Sequence, residues 1–223
     1  MSQVVLYDGG DQYVLKDFSL TVAKGEIVSV VGLSGSGKST VLRLIAGLEV
    51  PASGTIRIND KVVADKNTFV PPEKRKIGMV FQDYALFPHL SVYNNIAFGI
   101  SNMPKKERDE RIDGLLTLIN MREYKERYPY QLSGGQQQRV AVARALAPHP
   151  YILLMDEPFS NIDFELKEKM RLEIRSILKA ESATCIFVTH DKSDLEGLSD
   201  RTVTVASSHS NGKPSNFIVG KTN

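Results

Sequence analysis

The stretch GLSGSGKST, Gly32 to Thr40, stands between the apolar run EIVSVV and the run STVLRLIAGL. The second run carries Val41, Leu42, Leu44, Ile45 and Leu48 at helical spacing. A chain that passes from strand to helix through Gly32, Gly35 and Gly37 turns a row of backbone N–H groups toward one point. The helix dipole makes that point attractive to an anion. The spacing G-x-x-x-x-G-K-[ST] adds a lysine for the outer phosphates of a nucleotide and a hydroxyl for a magnesium ion. Gly32, Ser34, Gly35, Ser36, Gly37, Lys38, Ser39 and Thr40 are therefore candidate phosphate-binding residues, with Ser39 also a metal ligand. Such a unit needs a buried parallel strand in front of it, which commits the chain to an α/β fold.

The rest of the sequence supplies the sheet. Glu26–Val31, Lys76–Phe81, Tyr151–Met155 and Cys185–Thr189 are short, continuous apolar runs. Unbroken apolarity predicts strands covered on both faces by helices. GTIRIND, Gly54 to Asp60, alternates instead, as an antiparallel strand with one wet face does. Helical spacing recurs over Phe164–Leu178, at Leu166, Met170, Ile174 and Ile177, and over KKERDERIDGLLTLINM, at Ile112, Leu115, Leu116 and Ile119. From Tyr84 to Ala147 no buried-strand run occurs. The expected fold is a mostly parallel sheet with an antiparallel portion near the N-terminus and a helical insertion. Residues 1–83 and 148–223 would form the α/β core, and 84–147 the helical part. VTV (Val203 to Val205) and FIV (Phe217 to Val219) are a further candidate strand pair.

Each buried run ends in a polar or glycine residue: Gly32, Gln82, Asp156-Glu157 and His190. Ligands of open parallel sheets bind beyond the carboxyl ends of the strands, so these groups are delivered to one edge. Asp156, closing YILLMD, is placed to hold a magnesium ion, and Glu157 is the candidate general base for an attacking water. Taken singly, a Gln at a strand end is a turn residue and a single His a structural one. The common strand-end placement is what makes Gln82 a candidate metal ligand and His190 a phosphate contact.

A second anion-binding turn lies far downstream. In QLSGGQQQRVAVARALA, Gln131 to Ala147, Ser133 is a natural N-cap, and Gly134 and Gly135 expose N–H groups at a helix start. LSGGQQQR, with the two nucleotide motifs, resembles the signature of ATP-binding-cassette (ABC) ATPases. The resemblance runs from about Tyr7 to Arg201, with every motif in family order. It implies binding of ATP with Mg²⁺, and a head-to-tail dimer in which Ser133, Gly134 and Gly135 of one copy cap the γ-phosphate held by the other. Ser160-Asn161-Ile162-Asp163 resembles the D-loop, Gln82 the Q-loop glutamine and His190 the switch histidine. Tyr7, or in second place Tyr13, matches the aromatic that stacks on adenine.

Val70 to Ile100 and YPYQLSGGQQQR are similar to ATPases of bacterial importers for sugars, polyamines, sulfate and ferric iron. That resemblance implies integral-membrane permease partners, an indirect link to a solute-binding protein, and a place at the cytoplasmic face of the membrane. Tyr84, Leu86, Phe87 and Pro88 are the candidate apolar surface for the permease. Importers of this subgroup usually carry a further C-terminal regulatory domain; this sequence ends at Asn223 and departs from the family pattern after Arg201.

Composition sets the remaining bounds. The chain has 223 residues, one Cys and a net charge of +2. A nucleic-acid footprint needs clustered Lys and Arg. The densest basic run, Glu73-Lys74-Arg75-Lys76, is short and expected to be a solvated loop, so no nucleic-acid partner is predicted. Cys185 inside TCIFV reads as a buried, reduced thiol. Neither a signal peptide nor a membrane-spanning run is seen. A stand-alone P-loop kinase would account for Gly32–Thr40 and Asp156 but leaves LSGGQQQR, SNID and His190 unused. A chromosome-type ABC ATPase would need long heptad insertions that the sequence lacks.

Overall fold

Two sheets and the helices packed on them enclose two buried apolar clusters. The computed structural model of the chain describes residues 2–6, 15 and 18–205. One sheet contains the parallel strands β3 (Ile27–Gly32), β6 (Ile77–Val80), β7 (Ile152–Asp156), β8 (Cys185–Thr189) and β9 (Arg201–Val205), in the order β6-β7-β8-β3-β9. The other is antiparallel, ordered β2-β1-β4-β5, from β1 (Ser2–Leu6), β2 (Phe18–Val22), β4 (Thr55–Ile58) and β5 (Lys61–Ala64). Helix α1 (Lys38–Ala46) follows β3; α2 (Val92–Ala97), α3 (Lys105–Leu118) and α4 (Gly134–Leu146) lie between β6 and β7; α5 (Phe164–Ala180) follows β7.

Strand β8 shows why its sequence is apolar throughout. Ile186 and Val188 join Val28, Val30 and Leu154 in a cluster with Val41, Leu42 and Ile45 of α1 and Phe18, Leu20 and Ile56 of the antiparallel sheet. Cys185 and Phe187 point the other way, into a cluster with Val140 and Val142 of α4 and Ile174 and Leu178 of α5. Alternate side chains leave opposite faces of a strand, so a strand covered twice must be apolar at both. Burial of this kind contributes about 1.5–3 kcal/mol per large side chain. It also pushes the Cys185 thiol far above its ordinary pKa, so Cys185 is an inert apolar filler here.

Several sequence expectations need correcting. Edge strand β6 is covered less evenly: Gly78 and Val80 are buried and Ile77 and Met79 half-buried. Leu48 and Leu166 match the helical spacing yet are 51% and 55% exposed. Gly47 ends α1 with φ +81° and turns Leu48 out of the helical register. Leu166 sits one turn into α5, beside the signature cleft described below. Val203–Val205 belong to β9 and pair in parallel with β3; Phe217–Val219 lie outside the described residues. The run Glu73–Lys76 is not uniformly solvated, because Arg75 is 2% exposed. Of the apolar surface residues, Tyr84 is buried, Leu86 and Phe87 are half-buried and Pro88 is exposed. Phe98, 58% exposed, extends that surface, its ring 4.4 Å from that of Phe87. No helix among the described residues is long and apolar enough to cross a membrane.

Candidate active site

The carboxyl ends of β3, β7 and β8, adjacent in the sheet, carry the groups that the sequence singled out. After β3 the chain turns through Gly35 (φ +78°) and Gly37 (φ +93°) into α1. A side chain at Gly32 would place its Cβ 2.5 Å from Ser36 Oγ, so the close turn there needs glycine. Lys38 is buried, and its Nζ donates to the carbonyls of Gly32 (2.9 Å) and Leu33 (2.8 Å). Ser36 Oγ is also buried, with no hydrogen-bond partner among the described residues. An ammonium held by its own loop's carbonyls and an orphaned hydroxyl beside it make a cradle that an incoming phosphate would satisfy.

Ser39 and Asp156 meet as expected, Ser39 Oγ donating to Asp156 Oδ1 at 3.0 Å. Burial raises the pKa of Asp156, the Ser39 hydrogen bond opposes that, and the Glu157 charge adds to it. A divalent cation would offset the cost of this buried carboxylate, and hydroxyl plus carboxylate are the hard oxygen donors that Mg²⁺ takes alongside phosphates and water. The residues present therefore fit the ion.

Glu157 has φ +45°, a left-handed backbone that costs a non-glycine residue about 1–3 kcal/mol. The surroundings over-determine it. Its N–H donates to the Val188 carbonyl (3.0 Å), and its own carbonyl accepts from the Ser160 amide (3.2 Å) and hydroxyl (3.0 Å). Its Oε1 lies 3.0 Å from His190 Nδ1. The loop after His190 is pinned in turn: Thr189 Oγ1 donates to Asp194 Oδ2 (2.7 Å), and Lys167 Nζ of α5 donates to Asp191 Oδ2 (3.0 Å).

Gln82 lies on the loop after β6, is exposed, and makes no hydrogen bond to Ser39, Asp156 or Glu157. Its backbone carbonyl accepts from Asn161 Nδ2 at 2.8 Å, which joins this loop to the segment ahead of α5. Sequence reasoning did not foresee that link, nor the grip of Arg144 of α4 on the carbonyls of Ala85 (2.7 Å) and Tyr84 (3.1 Å). The only signal for the second was an arginine on an otherwise apolar stretch of helix.

Ser133 is the N-cap of α4, accepting from Gln136 N at 3.3 Å while Gln136 Oε1 accepts from Ser133 N at 2.9 Å. With Gly134, Gly135, Asn161 and Asp163 it lines a cleft of about 230 Å³. No residue of 32–40 lines that cleft. Asp163 is the exposed N-cap residue of α5. Tyr7 and Tyr13 lie outside the described residues. A larger cleft, about 490 Å³, at the amino ends of β7 and β8 includes Lys24, His149 and Tyr151 and none of the predicted site residues.

One loop to cradle phosphate, a carboxylate pair at the next strand end but one, and a separate capped glycine turn complete the motif set in space. Residues 15–160 match the ABC transporter family model. The chain belongs to the ABC transporter family. It is 45% identical over 196 residues to the spermidine/putrescine import ATP-binding protein PotA of Oleidesulfovibrio alaskensis, covering 86% of this chain and 51% of that protein. It is 44% identical over 216 residues to the sn-glycerol-3-phosphate import ATP-binding protein UgpC of Brucella abortus, covering 94% and 60%. The chain thus spans about half the length of the curated relatives it matches. Among solved structures, the ATP-binding cassette MJ0796, in a dimeric post-hydrolysis state bound to ADP and Pi, aligns with a TM-score of 0.74 at 32% identity, over 94% of this chain and 97% of that one. The α/β cassette fold read from the sequence is the observed one.

Proposed function

We propose that the chain is the ATP-hydrolysing subunit of a bacterial ABC importer. It binds ATP at Gly32–Thr40 and pairs head to tail with a second copy. The observation that carries the reading is the separation of the two anion-binding turns: the cleft at Ser133–Gly135 shares no lining residue with the loop at Gly32–Thr40. A capped glycine turn that stands apart from the phosphate loop of its own chain is read as half of a site, completed by the P-loop of a partner copy.

Hydrolysis breaks the bond between the β–γ bridging oxygen and the γ-phosphorus, and water supplies the new P–O bond, giving ADP and phosphate. Glu157 accepts the proton that the water releases. Lys38 and the N–H groups of the loop neutralise charge on the phosphate oxygens, which positions and stabilises the transferring group. Ser39, Asp156 and Gln82 would hold Mg²⁺, which supplies further charge neutralisation on the phosphates when bound. The 3.0 Å contact between Glu157 and His190 holds the imidazole beside the base, from where it would contact the γ-phosphate. Ser133, Gly134, Gly135 and Asp163 face the nucleotide from the opposite copy, and Tyr7, with Tyr13 as the alternative, stacks on the base. The division into a core (1–83, 148–223) and a helical part (84–147) gives the permease a docking face around Phe87 and Pro88. The transported solute, of the ferric iron, polyamine, sulfate or sugar class, is chosen by the permease and its solute-binding protein at the membrane. The cytoplasmic face is where such a peripheral subunit works, with no role for nucleic acid.

Glu157→Gln tests the reading. The variant should bind ATP, accumulate as an ATP-dependent dimer on size-exclusion chromatography, and lose hydrolysis by roughly 10²–10⁴-fold, the usual contribution of a general base. Turnover at the normal rate would assign the base elsewhere.

A further inference from the structure

The largest fully buried side chain among the described residues carries a positive charge. Arg75 is 2% exposed, and among the described residues none of its hydrogen-bond partners is a carboxylate. Its Nη1 donates to the carbonyls of Leu44 (2.8 Å) and Ile45 (2.9 Å), in the last turn of α1. Both lie at the negative end of the helix dipole; the Leu44 carbonyl also accepts from the Gly47 amide that caps α1, at 3.2 Å. The Nε donates to the Val70 carbonyl at 2.7 Å, and Nη2 lies 3.5 Å from the Val63 carbonyl on β5. The guanidinium carbon sits 5.0 Å from the centre of the Phe69 ring, and Phe69 bridges to Ala64 at the end of β5. The fit is close, since a Cβ at Gly47 would come within 2.5 Å of Nε.

Burying a guanidinium without a counter-charge is costly, and an apolar side chain of the same volume would fill the space more cheaply. What an apolar side chain could not do is bind two elements at once. The planar fork joins the C-terminal end of α1 to the antiparallel sheet, a task for which the point charge of lysine is unsuited. Helix α1 is about 14 Å long, and the phosphate loop forms its other end. On the sheet side, β5 pairs with β4, and β4 with β1, whose last residue, Leu6, precedes Tyr7.

We propose that Arg75 is a positioning residue that holds α1 in register with the antiparallel sheet, so that the nucleoside and its phosphates are recognised as one ligand. This rests on the nucleotide reading above, with phosphates on the loop and the base against the sheet. Loss of the fork lets the two halves shift without dismantling either. Binding of a bare polyphosphate, which needs only the loop, then survives where binding of ATP does not.

The test compares affinities of the full chain for MgATP and for magnesium tripolyphosphate by calorimetry, in Arg75→Met, Arg75→Lys and, as a core substitution in the helical part, Ile112→Val. Arg75→Met should weaken ATP binding roughly tenfold, within the usual range for coupling between sites. Tripolyphosphate binding should change by no more than about twofold, and Arg75→Lys should restore only part of the loss. Ile112→Val should leave the ratio of the two affinities as in the parent, since a general loss of stability moves both ligands alike. If Arg75→Met does not fold, Arg75→Lys decides. A parent chain that prefers ATP, with the ratio unchanged in the folded Arg75 variants, overturns the role of Arg75 alone. A parent chain that binds tripolyphosphate as tightly as ATP overturns the nucleotide reading and this inference with it.

Discussion

The chain holds two glycine-rich turns at helix starts, and they differ in what they leave unsatisfied. At Gly32–Thr40 the cradle is buried and short of partners: Lys38 turns back on the loop's own carbonyls and Ser36 Oγ has no described partner. At Ser133–Gly135 the turn closes on itself, since Ser133 and Gln136 exchange hydrogen bonds in a capping box. Arg139 of α4 and Lys169 of α5 line the cleft beside it. The first turn leaves buried groups that an anion would satisfy. The second is closed by its own capping box, and on the proposed reading it meets an anion only when a second surface brings one to it.

The contrast breaks most easily at Lys38. Lys38→Ala should lower ATP hydrolysis by at least roughly 10²–10³-fold, the effect of deleting one donor to developing charge, and should weaken ATP binding as well. Activity comparable to the parent would mean that the first turn is not the cradle. Ser133→Arg should cost hydrolysis about as much while leaving ATP binding to the monomer within about twofold, because the cleft it blocks is not the loop's own. Equal losses of monomer binding in both variants would erase the distinction.

Two smaller changes sharpen it. Ser36→Ala removes a buried hydroxyl that only a phosphate would pair. ATP affinity should fall by about 1.5–3 kcal/mol, the worth of a hydrogen bond to a charged group, while the empty chain's melting temperature holds or rises. Ser133→Ala should do the reverse, lowering empty-chain stability by about 1 kcal/mol through the lost helix cap. Chemical denaturation with and without ATP separates the two.

The smallest effect concerns the loop that carries His190. Hydrogen bonds from the Ser193 hydroxyl and amide and from Lys167 hold the Asp191 carboxyl down to about 2, against an ordinary 3.8. A lowered folded-state value means a contribution that is complete above about pH 4 and is lost as pH falls toward 2. Asp191→Asn should therefore destabilise the chain at neutral pH by less than about 1 kcal/mol, and the difference from the parent should shrink in urea melts near pH 3. A constant difference at all pH values would mean that Asp191 acts through shape and not charge.

Much of this was legible before any coordinates. Runs such as CIFVT could be read because a doubly covered strand is apolar on both faces save for small hydroxyls such as Ser29 and Thr189, and GLSGSGKST because its backbone demands glycine where sequence shows it. Asp156 and Glu157 were legible because they end such a strand. Periodicity failed at Leu48 and Leu166, where spacing fits but a helix end or an open cleft takes the place of a core. It failed again at Arg75, because composition assigns basic runs to solvent and cannot see that a helix C-terminus and a strand carbonyl converge on one guanidinium. Contacts between distant backbone groups, such as Asn161 with the Gln82 carbonyl, carry no residue-type signature at all.

The central claim is that one turn binds the nucleotide and the other, on a second copy, completes the site. Mixing Ser133→Arg chains with Lys38→Ala chains measures it most directly. Each variant alone should be inactive, because every dimer lacks either two cradles or two lids. The mixture should recover hydrolysis, since a heterodimer pairs the intact loop of one chain with the intact Ser133 turn of the other. A mixture as inactive as its components, with heterodimers present, would contradict the account.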